Sequence, residues 1–299
     1  MKRLKKKAGL WATLAAATLA VTACGGDGGG TPGGEGSAPA APYTVASNVD
    51  LSGSPTFDKI KQAGKVVVGV KQDQPGLGFK DAATGEYSGF DIEIARWIAA
   101  DLGYGQDKIE YKAIPSANRE SAIVNGDIDY YVGTYSITDK RKQSVDFAGP
   151  YFVTGQGLLV KKDNTDINSE KDLAGKTVCS ATGSTPIQNI KENFPDTKTT
   201  EFDTYSQCID ALNNGQVDAV TTDQAILLGY AAQDPENLKV VGEPFTEEKY
   251  GVGLKKGDDV LRKHINDMFT NGNDTWTKIY DQTLGQSGTT VEQPKVDNY

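Results

Sequence analysis

Two stretches decide the fold: "AIVNGDIDYYVGT" (Ala122 to Thr134) and "ALNNGQVDAVTTD" (Ala211 to Asp223). In each, a helical pattern ends at Asn-Gly and a strand follows. Gly126 lies eight residues before Thr134, and Gly215 lies eight before Asp223. Thr134 and Asp223 are therefore expected at equivalent places, each at the carboxyl end of a strand, where open α/β sheets bind ligands. A second pair runs in the same order, "AGKVVVGVK" (Ala63 to Lys71) and "AGKTVCSAT" (Ala174 to Thr182). Asn-Gly is common turn chemistry, so chance similarity is the alternative. Two matching units in one order weigh against it, and they imply two α/β halves facing a cleft. Elsewhere, short β-branched runs alternate with amphipathic helical patterns. One such helix, "FDIEIARWIAADLG", carries Phe90, Ile94, Trp97 and Ile98 as a core stripe and stops at Gly103.

The chain begins with a cationic head of Lys2, Arg3, Lys5, Lys6 and Lys7, followed by an apolar run from Ala8 to about Ala23. A membrane span needs ~20 apolar residues, so this shorter run has the shape of an export signal. Its ending, "VTAC", resembles the lipobox of bacterial lipoproteins, which implies cleavage before Cys24 and a diacylglyceryl group on its sulfur. A plain signal peptide that contains a cysteine is the alternative. Beyond it, "GGDGGGTPGGEGSAPAAPYTVASNV" has almost nothing to bury and reads as a disordered tether. Loss of the five cations takes the formal net charge from −9 to −14, which argues against nucleic acid as a partner. Cys179 and Cys208 are an even pair in an exported chain and suggest a disulfide, with two buried free thiols as the alternative. A zinc site lacks ligands, because His264 is the single histidine.

An acidic chain must place cations deliberately to bind an acid. Lys71 follows the first strand, and Arg119, in "IPSANRE", follows Ser116 near a helix start. In "GTYSITDKRKQSVDF" (Gly133 to Phe147), Thr138 reads as a helix cap, yet Lys140 and Arg141 put cations where the helix dipole is already positive. A guanidinium grips a carboxylate with two parallel hydrogen bonds, and the hydroxyls of Thr134 and Ser136 can add to it. In the second half, "SATGSTP" (Ser180 to Pro186) is a strand–loop–helix corner whose N–H groups can receive an anion, without the pattern of a phosphate loop. Asp223 supplies a carboxylate for a ligand ammonium. Three cationic positions, several hydroxyls and one carboxylate suit an acidic amino acid, with no cofactor, metal or catalytic residue called for.

At "SITDKRKQSVDFAGPYF" the chain closely resembles the family-3 solute-binding proteins of polar amino acid ABC transporters, and "GFDIEIARWIA", "DLAGKTVCSATGST" and "GVGLKKGD" fall in the family's expected order. Within that family it looks most like the actinobacterial glutamate-binding lipoproteins. The resemblance implies a type II periplasmic-binding-protein-like α/β fold, two lobes joined by two hinge strands, closing on an amino acid. It divides the chain into a signal peptide (1–23), a tether (24–55), lobe 1 (56–153 and 246–299) and lobe 2 (154–245). Hinges are expected near Phe152–Gly157 and Pro244–Gly251.

By that resemblance Arg141 grips the α-carboxylate with Thr134 and Ser136, and Asp223 takes the α-ammonium. Ser184 and Thr185 contact the ligand from lobe 2, while Lys71, Ser116 and Arg119 hold a distal carboxylate. Many relatives place an aromatic residue over the ligand, where this chain offers Gln74 or Phe79. The expectation is a monomeric, lipid-anchored receptor on the outer face of the cell membrane. It would capture L-glutamate, and aspartate as well, and pass it to the permease and ATPase of an ABC importer. Glutamine or asparagine binding is the alternative, and an enzyme on the same scaffold, such as a cyclohexadienyl dehydratase, is the more distant one.

Overall fold

The computed structural model describes residues 40–287 and 291–299. The expected signal peptide and Cys24 lie outside the described residues, as does most of the expected tether. The first half runs through α1 (Pro55–Ala63), β1 (Val66–Val70), β2 (Asp73–Gln74), β3 (Gly78–Lys80), β4 (Tyr87–Ser88) and α2 (Phe90–Asp101). It continues with β5 (Ile109–Ala113), α3 (Arg119–Val124), β6 (Tyr130–Val132), α4 (Asp139–Lys142) and β7 (Val145–Thr154). The second half holds β8 (Gln156–Lys161), β9 (Thr177–Ala181), α5 (Thr185–Asn193), β10 (Lys198–Phe202) and α6 (Tyr205–Asn213). It closes with β11 (Ala219–Asp223), α7 (Gln224–Gln233) and β12 (Leu238–Val241), after which β13 (Glu248–Lys255), α8 (Asp259–Asn271) and α9 (Asn273–Gln282) return to the first half.

The described residues form two five-stranded sheets, ordered β5-β1-β6-β13-β7 and β10-β9-β11-β8-β12, and a small three-stranded one, β2-β3-β4. Strands β1 and β9 occupy the same place in their sheets, as do β6 and β11, so the repeat read from the sequence is a repeat of topology. Gly126 and Gly215 both turn through the left-handed region, with φ of 73° and 71°. Three residues on, Asp129 accepts the Val67 N–H at 2.7 Å and Asp218 accepts the Thr177 N–H at 2.7 Å, stitching each inner strand to its neighbour. The match slips by one residue in the first strand of each half: Val68 lies opposite Tyr130, whereas Val178 lies opposite Ala219. Both strands begin two residues after the glycine of "AGK", so the slip lies in the pairing and not in the length of the turn.

Strand β1 is parallel to both neighbours and covered on both faces, which is why "VVVGV" is apolar throughout. The stripe expected on α2 is core: Phe90, Ile94 and Ile98 are fully buried and Trp97 nearly so. In the second sheet Cys179 on β9 and Cys208 on α6 form a disulfide with Cα atoms 5.5 Å apart. The chain crosses between the sheets twice, between Thr154 and Gln156 and between Val241 and Glu248. The crossings bond to each other, Gln156 N–H to Thr246 Oγ1 at 3.0 Å and Phe245 N–H to the Gln156 carbonyl at 2.9 Å.

Residues 41–55, expected as the end of the tether, are part of the folded body. From Ala41 the chain packs on the first half: Tyr43 donates its hydroxyl to Glu93 at 2.8 Å, Ala46 N–H bonds the Ala100 carbonyl, and Leu51 is buried. Aromatic and aliphatic side chains within a Gly/Pro/Ala-rich composition supply that docking. The other end docks too: Asp297 N–H reaches the Gly149 carbonyl, and Tyr299 Oη receives the Phe147 N–H at 2.8 Å.

Candidate functional site

Strand ends and helix starts of both sheets converge on one buried, charged cluster. Lys71, just past β1, donates to Ser116 Oγ at 2.7 Å, and Arg119, opening α3, donates its Nε to the Ser116 carbonyl at 3.0 Å. Arg119 also reaches the Thr134 carbonyl and, across the cleft, the Gly183 carbonyl, each at 3.3 Å. Arg141 donates to the Ser136 carbonyl at 2.7 Å, to the same Gly183 carbonyl at 3.0 Å and to Glu120 at 3.2 Å. All three cations are buried. Burial and then Arg119 pull the Lys71 ammonium down to about 7, and the same two causes pull Arg141 down to about 10.

The cation conflict at α4 has a local answer. Thr138 caps the helix by accepting the Arg141 N–H at 3.2 Å, and α4 is only four residues long, so its dipole is small. Two carbonyls and a carboxylate then meet the guanidinium. Lys140 is exposed.

On the opposite side, Asp223 ends β11 as Thr134 follows β6. Its Oδ2 accepts the Tyr250 hydroxyl at 2.6 Å, while Oδ1 is buried without a hydrogen-bond partner. Burial first, then the charge of Glu248, push this carboxyl upward against the opposing pull of Tyr250, Arg119 and Arg141. Ser184 caps α5 through the Ile187 N–H at 3.3 Å and lies 3.2 Å from Ser180 Oγ, so its hydroxyl is engaged within its own corner. Thr185 donates to Glu248 Oε2 at 2.9 Å and lies 3.3 Å from Ser136 Oγ. Lys71, Ser116, Arg119, Thr134, Ser136 and Arg141 thus form one face, with the Gly183–Thr185 corner and Asp223 against it. Gln74 is buried and donates its amide to Thr134 Oγ1 at 3.1 Å, whereas Phe79 sits half-buried on β3.

Sequence reasoning missed several members. Asp91, next to Phe90 at the start of α2 and outside the expected core stripe, is fully buried and accepts the Thr134 N–H and the Tyr151 hydroxyl, each at 2.9 Å. It holds Thr134 at φ 47°, a left-handed conformation unusual for a β-branched residue. Burial raises the Asp91 carboxyl to about 6, against those two donors. Glu248 and Tyr250 enter from the returning crossing, and nothing in "EEKYGVG" marks them. Tyr135 lies between two residues singled out for their oxygens.

A second contact joins the halves at the far rim. Ser206 N–H, at the start of α6, donates to Asp73 Oδ2 at 3.1 Å, and the Tyr230 hydroxyl on α7 donates to the Asp73 carbonyl. Pro75 lies so close to α7 that a Cβ on Gly229 would stand 2.2 Å from its carbonyl oxygen. The lobes are closed on each other here. Among the described residues no group of His, Cys, Asp and Glu has the arrangement of a metal site, and no helix is long and apolar enough to cross a membrane.

The comparisons with known proteins agree with this architecture. The glutamate-binding protein GluB of Corynebacterium glutamicum is 41% identical over 267 residues, covering 85% of this chain and 90% of its own length. The glutamine-binding protein of Geobacillus stearothermophilus is 47% identical over 206 residues, covering 69% and 78%. Among solved structures, an ancestral arginine-binding protein bound to arginine matches with a TM-score of 0.67 at 38% identity, over 74% of this chain and 99% of its own. The cysteine-binding protein from Campylobacter jejuni matches with a TM-score of 0.73 at 30% identity, over 81% and 98%. The model of one family spans residues 66–286, and the chain belongs to it: the bacterial extracellular solute-binding proteins, family 3.

Proposed function

We propose that this protein is the receptor of an ABC importer for acidic amino acids, with L-glutamate as its ligand and L-aspartate accepted more weakly. The observation that carries this reading is the gathering of Lys71, Arg119 and Arg141, all buried, on one side of a cleft whose other side offers Asp223 with an unpartnered oxygen. Arg141, with Thr134 and Ser136, takes the α-carboxylate, and Asp223 takes the α-ammonium. Lys71, Ser116 and Arg119 take the distal carboxylate, while Ser184 and Thr185 close from the second lobe. A ligand carrying two carboxylates and one ammonium brings a net negative charge to this excess of cations, which an amide ligand does not. The name of the C. glutamicum relative supports glutamate, and that of the G. stearothermophilus relative supports glutamine. The cations favour the former.

Membership of the family supports delivery as the next step, in which the closed, loaded protein docks on a permease driven by a cytoplasmic ATPase. In this reading Cys24 carries the lipid anchor and the folded body works as a monomer at the outer face of the membrane. Calorimetry on protein lacking residues 1–24, against glutamate, aspartate, glutamine, asparagine and arginine, tests the ligand. Glutamate should bind tightest, and tight glutamine binding without glutamate binding would overturn the assignment. Mass spectrometry of the amino-terminal peptide from membranes tests the anchor, since an unmodified Cys24 refutes it.

A further inference from the structure

Both guanidinium carbons lie over one ring: Arg119 Cζ is 4.4 Å and Arg141 Cζ 4.9 Å from the centroid of Tyr135. The two cations also share an acceptor, the Gly183 carbonyl. Groups so close repel in a buried site, and something must offset that for both to stay charged and adjacent. The three consecutive residues of the Thr134–Ser136 loop do so. The Thr134 carbonyl receives Arg119, the Ser136 carbonyl receives Arg141, and the ring between them in sequence offers both its π electrons. An aromatic face attracts a guanidinium most strongly where water is excluded. The ring is fixed in turn, fully buried with Phe147 at 4.8 Å and Tyr131 at 5.3 Å between centroids. Gly253 leaves it room, since a Cβ there would stand 2.8 Å from its Cε1.

We propose that Tyr135 is a specificity-determining positioning residue: its ring face holds Arg119 and Arg141 as an adjacent pair, able to meet the two carboxylates of one ligand. The inference rests on the acidic-ligand reading above. Its test uses the full chain with Tyr135→Phe, which keeps the face, and Tyr135→Leu, which keeps apolar bulk without it. The Nε–Hε resonances of Arg119 and Arg141 in ligand-free protein, assigned through Arg119→Lys and Arg141→Lys, report the ring directly. They should be shifted by its ring current in wild type and Tyr135→Phe, and lose that shift in Tyr135→Leu.

In titrations, Tyr135→Leu should weaken glutamate by about ten-fold, as expected for losing two such contacts, and glutamine by distinctly less. Tyr135→Phe should remain within about two-fold of wild type. Equal losses for both ligands, or a Phe variant as weak as the Leu variant, overturn the proposal. Should Tyr135→Leu fail to fold, unshifted arginine resonances in wild type overturn it alone. Wild type that ignores glutamate overturns the ligand assignment instead, and the resonances still decide the role of the ring.

Discussion

Gly229→Ala is expected to separate folding stability from ligand affinity. Gly229 lies inside α7, where replacing glycine by alanine favours the helix by about 1 kcal/mol. The new methyl carbon, however, would sit 2.2 Å from the Pro75 carbonyl oxygen of the opposing lobe. Ordinary contact needs roughly 3.4 Å, so the lobes must part by about 1.2 Å at this rim. The 3.1 Å bond from Ser206 N–H to Asp73 then stretches beyond hydrogen-bonding range, and the Tyr230 bond goes with it. Hydrogen bonds to charged groups contribute about 1.5–3 kcal/mol, and this partly exposed rim belongs at the low end. Closure, and hence affinity, should weaken by about ten-fold.

Calorimetric titration gives the affinity, and scanning calorimetry of ligand-free protein gives the melting temperature, which should hold or rise by a few degrees. Tyr230→Phe should weaken binding less and add nothing to Gly229→Ala, because the methyl has already broken that bond. Unchanged affinity in Gly229→Ala would refute the view that this rim sets the closing equilibrium.

Arg141→Ala should abolish binding of every amino acid in the same titrations, whereas Arg119→Ala should spare glutamine and cost glutamate at least about ten-fold, one lost charged hydrogen bond or more. Lys71, drawn down to about 7 by burial and Arg119, should make glutamate affinity fall as pH rises through 7–8, with proton uptake on binding there. Titrations in buffers of different ionisation enthalpy would detect that uptake, and Lys71→Met should remove it. Stability of the ligand-free protein runs the other way. Between pH 7 and the unfolded lysine value near 10.5 the unfolded chain holds more protons, so this residue's contribution rises with pH, as denaturation at stepped pH would show. Replacing Cys179 and Cys208 by serine opens a loop of 29 residues and should cost roughly 3–4 kcal/mol in urea unfolding.

The parts of this molecule that repeat or punctuate were legible in sequence. The duplicated Asn-Gly turns placed Thr134 and Asp223, and the α2 stripe placed the first core, because both obey local periodicities. Cations were legible because an acidic chain spends few of them near helix starts. Asp91 was not, since a buried carboxylate among core residues shows its purpose only when a loop from β6 lands on it. Glu248 and Tyr250 reach the site on a strand that returns after the whole second lobe, and no local pattern announces such an arrival. The one-residue slip between β1 and β9 escaped for a related reason: register is set by pairing partners, and the "AGK" echo knows only its own strand. Low complexity hid the docking of residues 41–54, where a few side chains outweigh the average.

That docking has a practical side when set beside the packing of the last residues on Gly149 and Phe147. Both ends of the described body ride on the half built from β1, β5 and β6, while the other half is carried as an insertion between two crossings. Fluorophores fused at the amino and carboxyl ends would travel together and stay blind to closure. A reporter placed in a surface turn of the inserted half, such as Asn213–Gly215, and paired with either end would read every capture event as a change in distance.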